Sequence, residues 1–152
     1  MVNLMAFIRF HATRNPDRLA LVYNGRHISY AELYDRMEKM ARYLTSQGIG
    51  EGDIVAVFMK NSAAFYEIAF ATSHLGAVFL PINFRLSGEE CRFIAGHAGA
   101  KLLFADEEFA DTVAGVDPVI LLSDAAQNDT RVLGGEALAR VAMVVRESGG
   151  LF

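Results

Sequence analysis

The sequence predicts an α/β fold: a layered sheet of mostly parallel strands with flanking helices and an N-terminal antiparallel hairpin. Three observations predict it. Ile54 to Met59 is an unbroken apolar run rich in β-branched residues, the pattern of a strand buried on both faces. Ala77 to Leu80 is a second such run, closed by Pro81, and the segment between them, Ala63 to Leu75, carries a helical repeat. Strand, helix and strand in that order make the two strands parallel. Asn24-Gly25, set between two short strand-forming runs, signals a two-residue hairpin.

Taken in order, Asn3 caps a first helix running to about Thr13, with Leu4, Phe7, Ile8 and Ala12 as its apolar stripe. Asn15-Pro16-Asp17 stops it. Leu19 to Tyr23 and Arg26 to Ile28 form the hairpin, expected as an antiparallel edge of the sheet. Ser29 and Glu32 have the spacing of a capping box, and Ile28 and Leu33 that of a hydrophobic staple. Leu33, Met37, Met40, Ala41 and Leu44 continue the inner stripe of this second helix, which Gly48 closes. Outside it, Asp35 with Lys39 and Glu38 with Arg42 are i,i+4 pairs worth ~0.2–0.5 kcal/mol each.

In the helix Ala63 to Leu75, capped by Ser62, the inner face holds Ala64, Ile68, Ala71 and Leu75, with Phe65 and Phe70 beside it. Ser87 and Glu90 repeat the capping box, Leu86 staples onto Cys91, and Gly99 ends that helix. Lys101 to Ala105 and Val119 to Leu122 are two further strands. Glu107 to Ala114 is expected as a short helix between them. Ser123 to Arg131 reads as a loop, and Leu138, Val141, Ala142 and Val145 as a last amphipathic helix. The chain thus divides into a subdomain over 1–122 and a loop plus C-terminal helix over 123–152.

The 152 residues suffice for one ordinary domain. Hydrophobic residues make up 53% and charged residues 21%, the balance of a globular chain. Net charge is −4, with no basic stripe interleaved with aromatics, so nucleic acid is not the expected partner. A single cysteine excludes an intramolecular disulfide and suits a reducing compartment. The apolar start carries no small-residue cleavage site. Ser62 to Leu80, the most apolar stretch, holds Glu67 and His74, and a membrane helix needs roughly 20 mostly apolar residues. A cytoplasmic location without a transmembrane segment is expected.

Few constellations point to chemistry. His11, His27, His74 and His97 lack metal-site spacing, and Cys91 has a structural explanation on an inner helix face. Glu89/Glu90 and Glu107/Glu108 are adjacent, so on helices they diverge by about a hundred degrees and suit helix starts better than a catalytic dyad. Gly48 to Asp53 imitates a phosphate loop, but it follows a helix and opens a strand, the reverse of a dinucleotide fingerprint. No catalytic residue and no metal ligand is assigned. One segment stands out: Pro81-Ile82-Asn83-Phe84-Arg85-Leu86 follows the carboxyl end of a buried parallel strand, where open α/β sheets bind ligands. Asn83 suits a turn, and Arg85 offers a fixed charge suited to phosphate.

Five segments stand in register: Asn15 to Leu21, Ser29 to Leu33, Gly48 to Ala56, Asn61-Ser62, and Gly76 to Asn83. Together they resemble the amino-terminal part of the adenylate-forming (AMP-binding) superfamily, the acyl-CoA synthetases and their relatives, over roughly Phe7 to Asp106. Asn83 and its sequel look more like the acyl-CoA synthetase branch than the peptide-synthetase adenylation domains. The resemblance implies ATP, Mg2+ and coenzyme A as cofactors of the full-length family and a carboxylic or fatty acid as substrate. It implies two half-reactions: a carboxylate attacks the α-phosphate of ATP to give an acyl-adenylate and pyrophosphate, and the coenzyme A thiol then displaces AMP. Arg85 matches an arginine that contacts the phosphates of coenzyme A in some of these ligases, and is the one cofactor-binding residue carried over.

The family's Ser/Thr/Gly-rich phosphate loop with its lysine, its adenine and magnesium motif, its hinge and the lysine of its mobile C-terminal domain have no counterpart here. The expectation is therefore an N-terminal fragment of an acyl-CoA synthetase, not competent in catalysis alone. The alternatives are a stand-alone coenzyme A- or acyl-binding module and a self-associating one. Homo-oligomerisation is expected through the nearly all-apolar helix Ala63 to Leu75.

Overall fold

The computed structural model describes residues 3–123, so the loop and closing helix expected beyond Ser123 lie outside the described residues. Asn3 caps helix α1 (Leu4–Arg14), its side-chain oxygen accepting the Ala6 N–H at 3.0 Å. Here the expected stripe is corrected. Met5 is buried, with Ile8 and Ala12 half-buried beside it, while Leu4 and Phe7 are exposed together with Phe10. Overlapping apolar stripes on this helix satisfy the same repeat, and its neighbours select the one holding Met5. That residue joins Ile28, Leu33, Met37 and Ala63 in a core cluster.

Strands β1 (Leu19–Tyr23) and β2 (Arg26–Ser29) pair antiparallel around Asn24 and Gly25, whose φ angles of 49° and 73° match a type I′ turn. They form a two-stranded sheet of their own rather than an edge of the main one. Ser29 then caps helix α2 (Tyr30–Ser46) by accepting the Glu32 N–H at 3.2 Å. Only that half of the expected box forms, because the Glu32 carboxylate pairs with Arg26 of the hairpin. Leu33, Met37, Met40, Ala41 and Leu44 all point inward. Asp35 and Lys39 pair at 2.7 Å, whereas Glu38 accepts the Tyr34 hydroxyl instead of pairing with Arg42.

The main sheet comprises β3 (Ile54–Phe58), β4 (Val78–Pro81), β5 (Ala100–Asp106) and β6 (Val119–Leu122), in the order β4-β3-β5-β6 and parallel throughout. Both of its faces are covered. Val55, Val57, Leu102, Phe104, Ile120 and Leu122 pack on one side against α2 and helix α3 (Ala63–His74). Ala56, Phe58, Leu103, Ala105, Val119 and Leu121 pack on the other, against Cys91 and Ala95 of helix α4 (Gly88–Ala98). Successive side chains of a strand point to opposite faces, so an apolar run without alternation is what a sheet covered twice requires. Ser87 and Glu90 form the complete capping box of α4.

Two further expectations are corrected. Helix α3 does not present an apolar patch: six of its residues are buried and only Tyr66 and His74 are exposed, because α1, α2 and the sheet enclose it. Between β5 and β6 there is one 3₁₀ turn, Glu107–Phe109, followed by turns, rather than a helix reaching Ala114. The Ala114 carbonyl is drawn to the Arg92 guanidinium of α4 at 3.1 Å, and the Thr112 carbonyl lies against Gly88, where a side chain would collide with it.

Between α2 and α3, Arg36 and Glu67 meet at 2.5 Å with side chains only 1% and 0% exposed. Removal from water pushes the Glu67 carboxyl up to about 7, against the opposing pull of Arg36.

Candidate functional site

The two ends of the parallel sheet differ in kind. At the amino end, the Gly48–Asp53 turn is closed by its own polar groups. Asp53 accepts the Gly50 N–H at 2.8 Å and the Lys101 ammonium at 2.9 Å, and Lys101 also donates to the Gly48 carbonyl at 2.7 Å. These bonds hold the Asp53 carboxyl below its usual range. The Gly50, Gly52 and Asp53 N–H groups already bond to Asp53, Gly76 and Gly50.

At the carboxyl end the chain order reverses. From β3 the chain crosses through α3 to β4 on one side, then through α4 to β5 on the other. The crevice of such a sheet opens where two neighbouring strands lead to opposite sides, here between β3 and β5. Lys60 follows β3 and Asp106 ends β5. The Lys60 N–H donates to the buried Asp106 carboxylate at 2.8 Å, and the Lys60 ammonium pairs with Glu108 at 2.8 Å.

The segment Asn83–Arg85 lies at this same edge, after β4. Ile82 is buried and its N–H donates to the Val57 carbonyl of β3 at 2.8 Å, which fixes where the loop leaves the sheet. The Asn83 side chain accepts the Arg85 N–H at 3.0 Å, the local turn expected of an asparagine. Arg85 is exposed, with its guanidinium carbon 5.2 Å from the Phe84 ring centre. Phe84 stacks on Phe109 at 5.8 Å, Phe109 packs edge-on against Phe58 at 5.3 Å, and the Lys60 ammonium lies 5.7 Å from the Phe109 ring. Two half-buried rings are thus flanked by two cations. Lys60 is engaged by Glu108, whereas among the described residues no carboxylate pairs with Arg85. Such an edge suits a ligand that combines a flat ring with negative charge.

Of the sequence-derived residues, Asn83 and Arg85 lie together here, and Cys91 is buried in the core with its thiol pushed up by burial. Sequence reasoning missed Lys60, Asp106, Glu108 and the Phe84–Phe109 stack. The signal was present: each of Lys60 and Asp106 ends an apolar strand, and placing those strands side by side brings them together.

Strand order and helix placement define a doubly wound α/β subdomain. The chain belongs to the family described as AMP-binding enzyme, which matches residues 8–145. It is 35% identical over 130 residues to the fatty acid–[acyl-carrier-protein] ligase ScoC of Streptomyces coeruleorubidus, covering 86% of this chain and 24% of that protein. It is 40% identical over 110 residues to a 2-succinylbenzoate–CoA ligase of Geobacillus sp. (strain WCH70), covering 72% and 22%. Among solved structures, the N-terminal domain of FACL13 from Mycobacterium tuberculosis superposes with a TM-score of 0.76 at 27% identity, covering 94% of this chain and 36% of that one. The chain spans about a quarter of the length of the curated relatives it matches. No helix among the described residues is long and apolar enough to cross a membrane.

Proposed function

We propose that the chain supplies the amino-terminal part of an AMP-forming acid–CoA ligase. The whole enzyme joins a carboxylate to the α-phosphorus of ATP with loss of pyrophosphate, then passes the acyl group to the sulfur of coenzyme A with loss of AMP. ATP, Mg2+ and coenzyme A are its cofactors and a carboxylic acid its substrate. The observation that carries this reading is the family match over residues 8–145. The curated relatives named as CoA ligases support it.

Arg85 is the residue assigned to bind coenzyme A, through a phosphate group. Its exposure at the carboxyl edge, without a carboxylate partner among the described residues, supports this role. Lys60 remains with Glu108 and helps hold Phe109 in place. The sequence carries no Ser/Thr/Gly-rich phosphate loop with a lysine, so adenylation by this chain alone is not expected. Carboxylate-dependent exchange of pyrophosphate into ATP by the purified 152-residue protein would overturn that statement.

The alternative is a binding module that keeps the coenzyme A edge without catalysis, favoured by the finished geometry of that edge. Calorimetric titration with coenzyme A, comparing wild type with Arg85→Ala, separates the two: heat lost on substitution supports the module, and no heat from either removes it. Homo-oligomerisation, with α3 enclosed, falls to other exposed apolar side chains, such as Leu19 and Val22 on the hairpin. A single monomeric boundary in sedimentation velocity at micromolar concentration would reject it.

A further inference from the structure

Among the described residues, helix α1 presents an outer face unlike that of any other helix. Leu4, Phe7 and Phe10 are 51%, 58% and 55% exposed, and their spacing puts all three on one side of the helix. Arg9 and Arg14 belong to the same exposed surface. With Ala6, Phe10 and Thr13 they line a shallow groove, in which the Arg14 guanidinium carbon lies 5.4 Å from the Phe10 ring centre. The charge here opposes that of the chain. Net charge is −4, yet the first acidic residue in the sequence is Asp17, so α1 carries Arg9, Arg14 and His11 and no carboxylate.

The elements packed against α1 alter this little. Helix α3 offers exposed Tyr66 and His74, and its one acid, Glu67, is fully buried. Helix α2 contributes Tyr34 near Arg9, its hydroxyl donating to Glu38, and neither arginine of α1 forms a salt bridge among the described residues. We propose that this face of α1 is a docking surface for an anionic phospholipid bilayer. Phe7, Phe10 and Leu4 enter the boundary between headgroups and acyl chains, and a lipid phosphate occupies the groove between Arg9 and Arg14.

Charge selects this occupant over a second copy of the chain. Two copies meeting face to face across a two-fold axis would bring the same arginines together without a carboxylate to answer them, whereas an anionic leaflet answers both. The helix lies on the membrane rather than crossing it. Its 11 residues span about 16 Å at 1.5 Å each, roughly half the hydrocarbon thickness. Interfacial helices turn Phe and Leu toward the lipid and keep Arg on the polar side, and on α1 the exposed Phe7 and Phe10 are bordered by Arg9 and Arg14, which can reach the headgroup phosphates.

The test is co-sedimentation of the 152-residue chain with phosphatidylcholine vesicles, with and without phosphatidylserine. Arg9→Glu/Arg14→Glu and Phe7→Ser/Phe10→Ser are compared with wild type, all checked by circular dichroism. Because the four side chains are exposed, the variants keep the fold. Binding is expected only to the anionic vesicles and weakens as salt is raised. Neutralising either arginine reduces it on the order of fivefold, reversing both abolishes it, and the serine variant binds markedly less. Absence of binding to anionic vesicles overturns the proposal, as does equal binding to both vesicle types or indifference to all four substitutions. Self-association that Phe7→Ser/Phe10→Ser abolishes, without vesicle binding, assigns the face to a second copy and equally overturns it.

Discussion

Two charged regions of the molecule behave in opposite ways. Arg36 and Glu67 face each other between α2 and α3 in complete burial, and no ligand can reach them. Lys60, Glu108 and Arg85 lie at the carboxyl edge of the sheet, where water covers them and a ligand can approach. Burial makes a charged pair part of the architecture, because neither partner can be withdrawn without stranding the other. Exposure makes a charge nearly free to the fold and therefore available for binding. The interior pair should govern stability and the edge affinity, and the two effects should separate cleanly.

The largest break comes from Glu67→Ala, which leaves the Arg36 guanidinium buried without its partner. We expect a loss of about 3–5 kcal/mol in denaturant unfolding. The pH profile sharpens the same point. The Glu67 carboxyl sits at about 7 in the folded protein against an ordinary value of 4.5, so between these values the folded state binds more protons than the unfolded one. Its contribution is complete below pH 4.5 and is lost as pH rises through 7. The slope in that window should be absent in Glu67→Gln, which keeps an acceptor for Arg36; an unchanged slope would reject the assignment.

An intermediate effect is expected from Asp106→Ala, where a buried edge carboxylate serves the backbone. The Lys60 N–H loses its acceptor, at a cost of about 1–3 kcal/mol. If stability is instead unaffected, Asp106 is not what joins the ends of β3 and β5. The smallest effect on the fold belongs to Arg85→Ala. Thermal unfolding should be unmoved, while affinity for coenzyme A falls by roughly tenfold, the loss of one charge-assisted hydrogen bond. A large drop in melting temperature would make Arg85 structural and break the comparison from the other side.

The sheet was legible in the sequence because burial on both faces writes itself as an unbroken apolar run. Ile54 to Phe58 and Val119 to Leu122 are both placed where that pattern puts them. The caps were legible because Asn3, Ser29, Ser62 and Ser87 each accept from the backbone N–H three residues on. Partner choice was less so. Glu32 had two claimants, its own helix start and Arg26, and only the packing of the hairpin decides between them. Which stripe of α1 turns inward is likewise settled by its neighbours. Arg36 and Glu67 carry no local sign that they meet, being 31 residues apart. The edge was half legible: Asn83 and Arg85 share a loop, but Lys60, Asp106 and Phe109 join them only through the order of the strands.

That order also has a consequence in time. Strand β3 is central, yet both of its partners, β4 and β5, lie after it in the chain. A nascent chain emerging from the ribosome at roughly 5–20 residues per second exposes both edges of β3 until β4 arrives. The second edge stays open for some seconds more, until Ala100 to Ala105 follows. Through that interval β3, with α2 and α3 available to cover one face, keeps an unpaired edge and a face that α4 has yet to cover, the state in which edge-to-edge aggregation begins. Synthesis at reduced temperature, or with a chaperone that holds apolar strands, should raise the soluble yield of this chain without changing the stability of what is recovered.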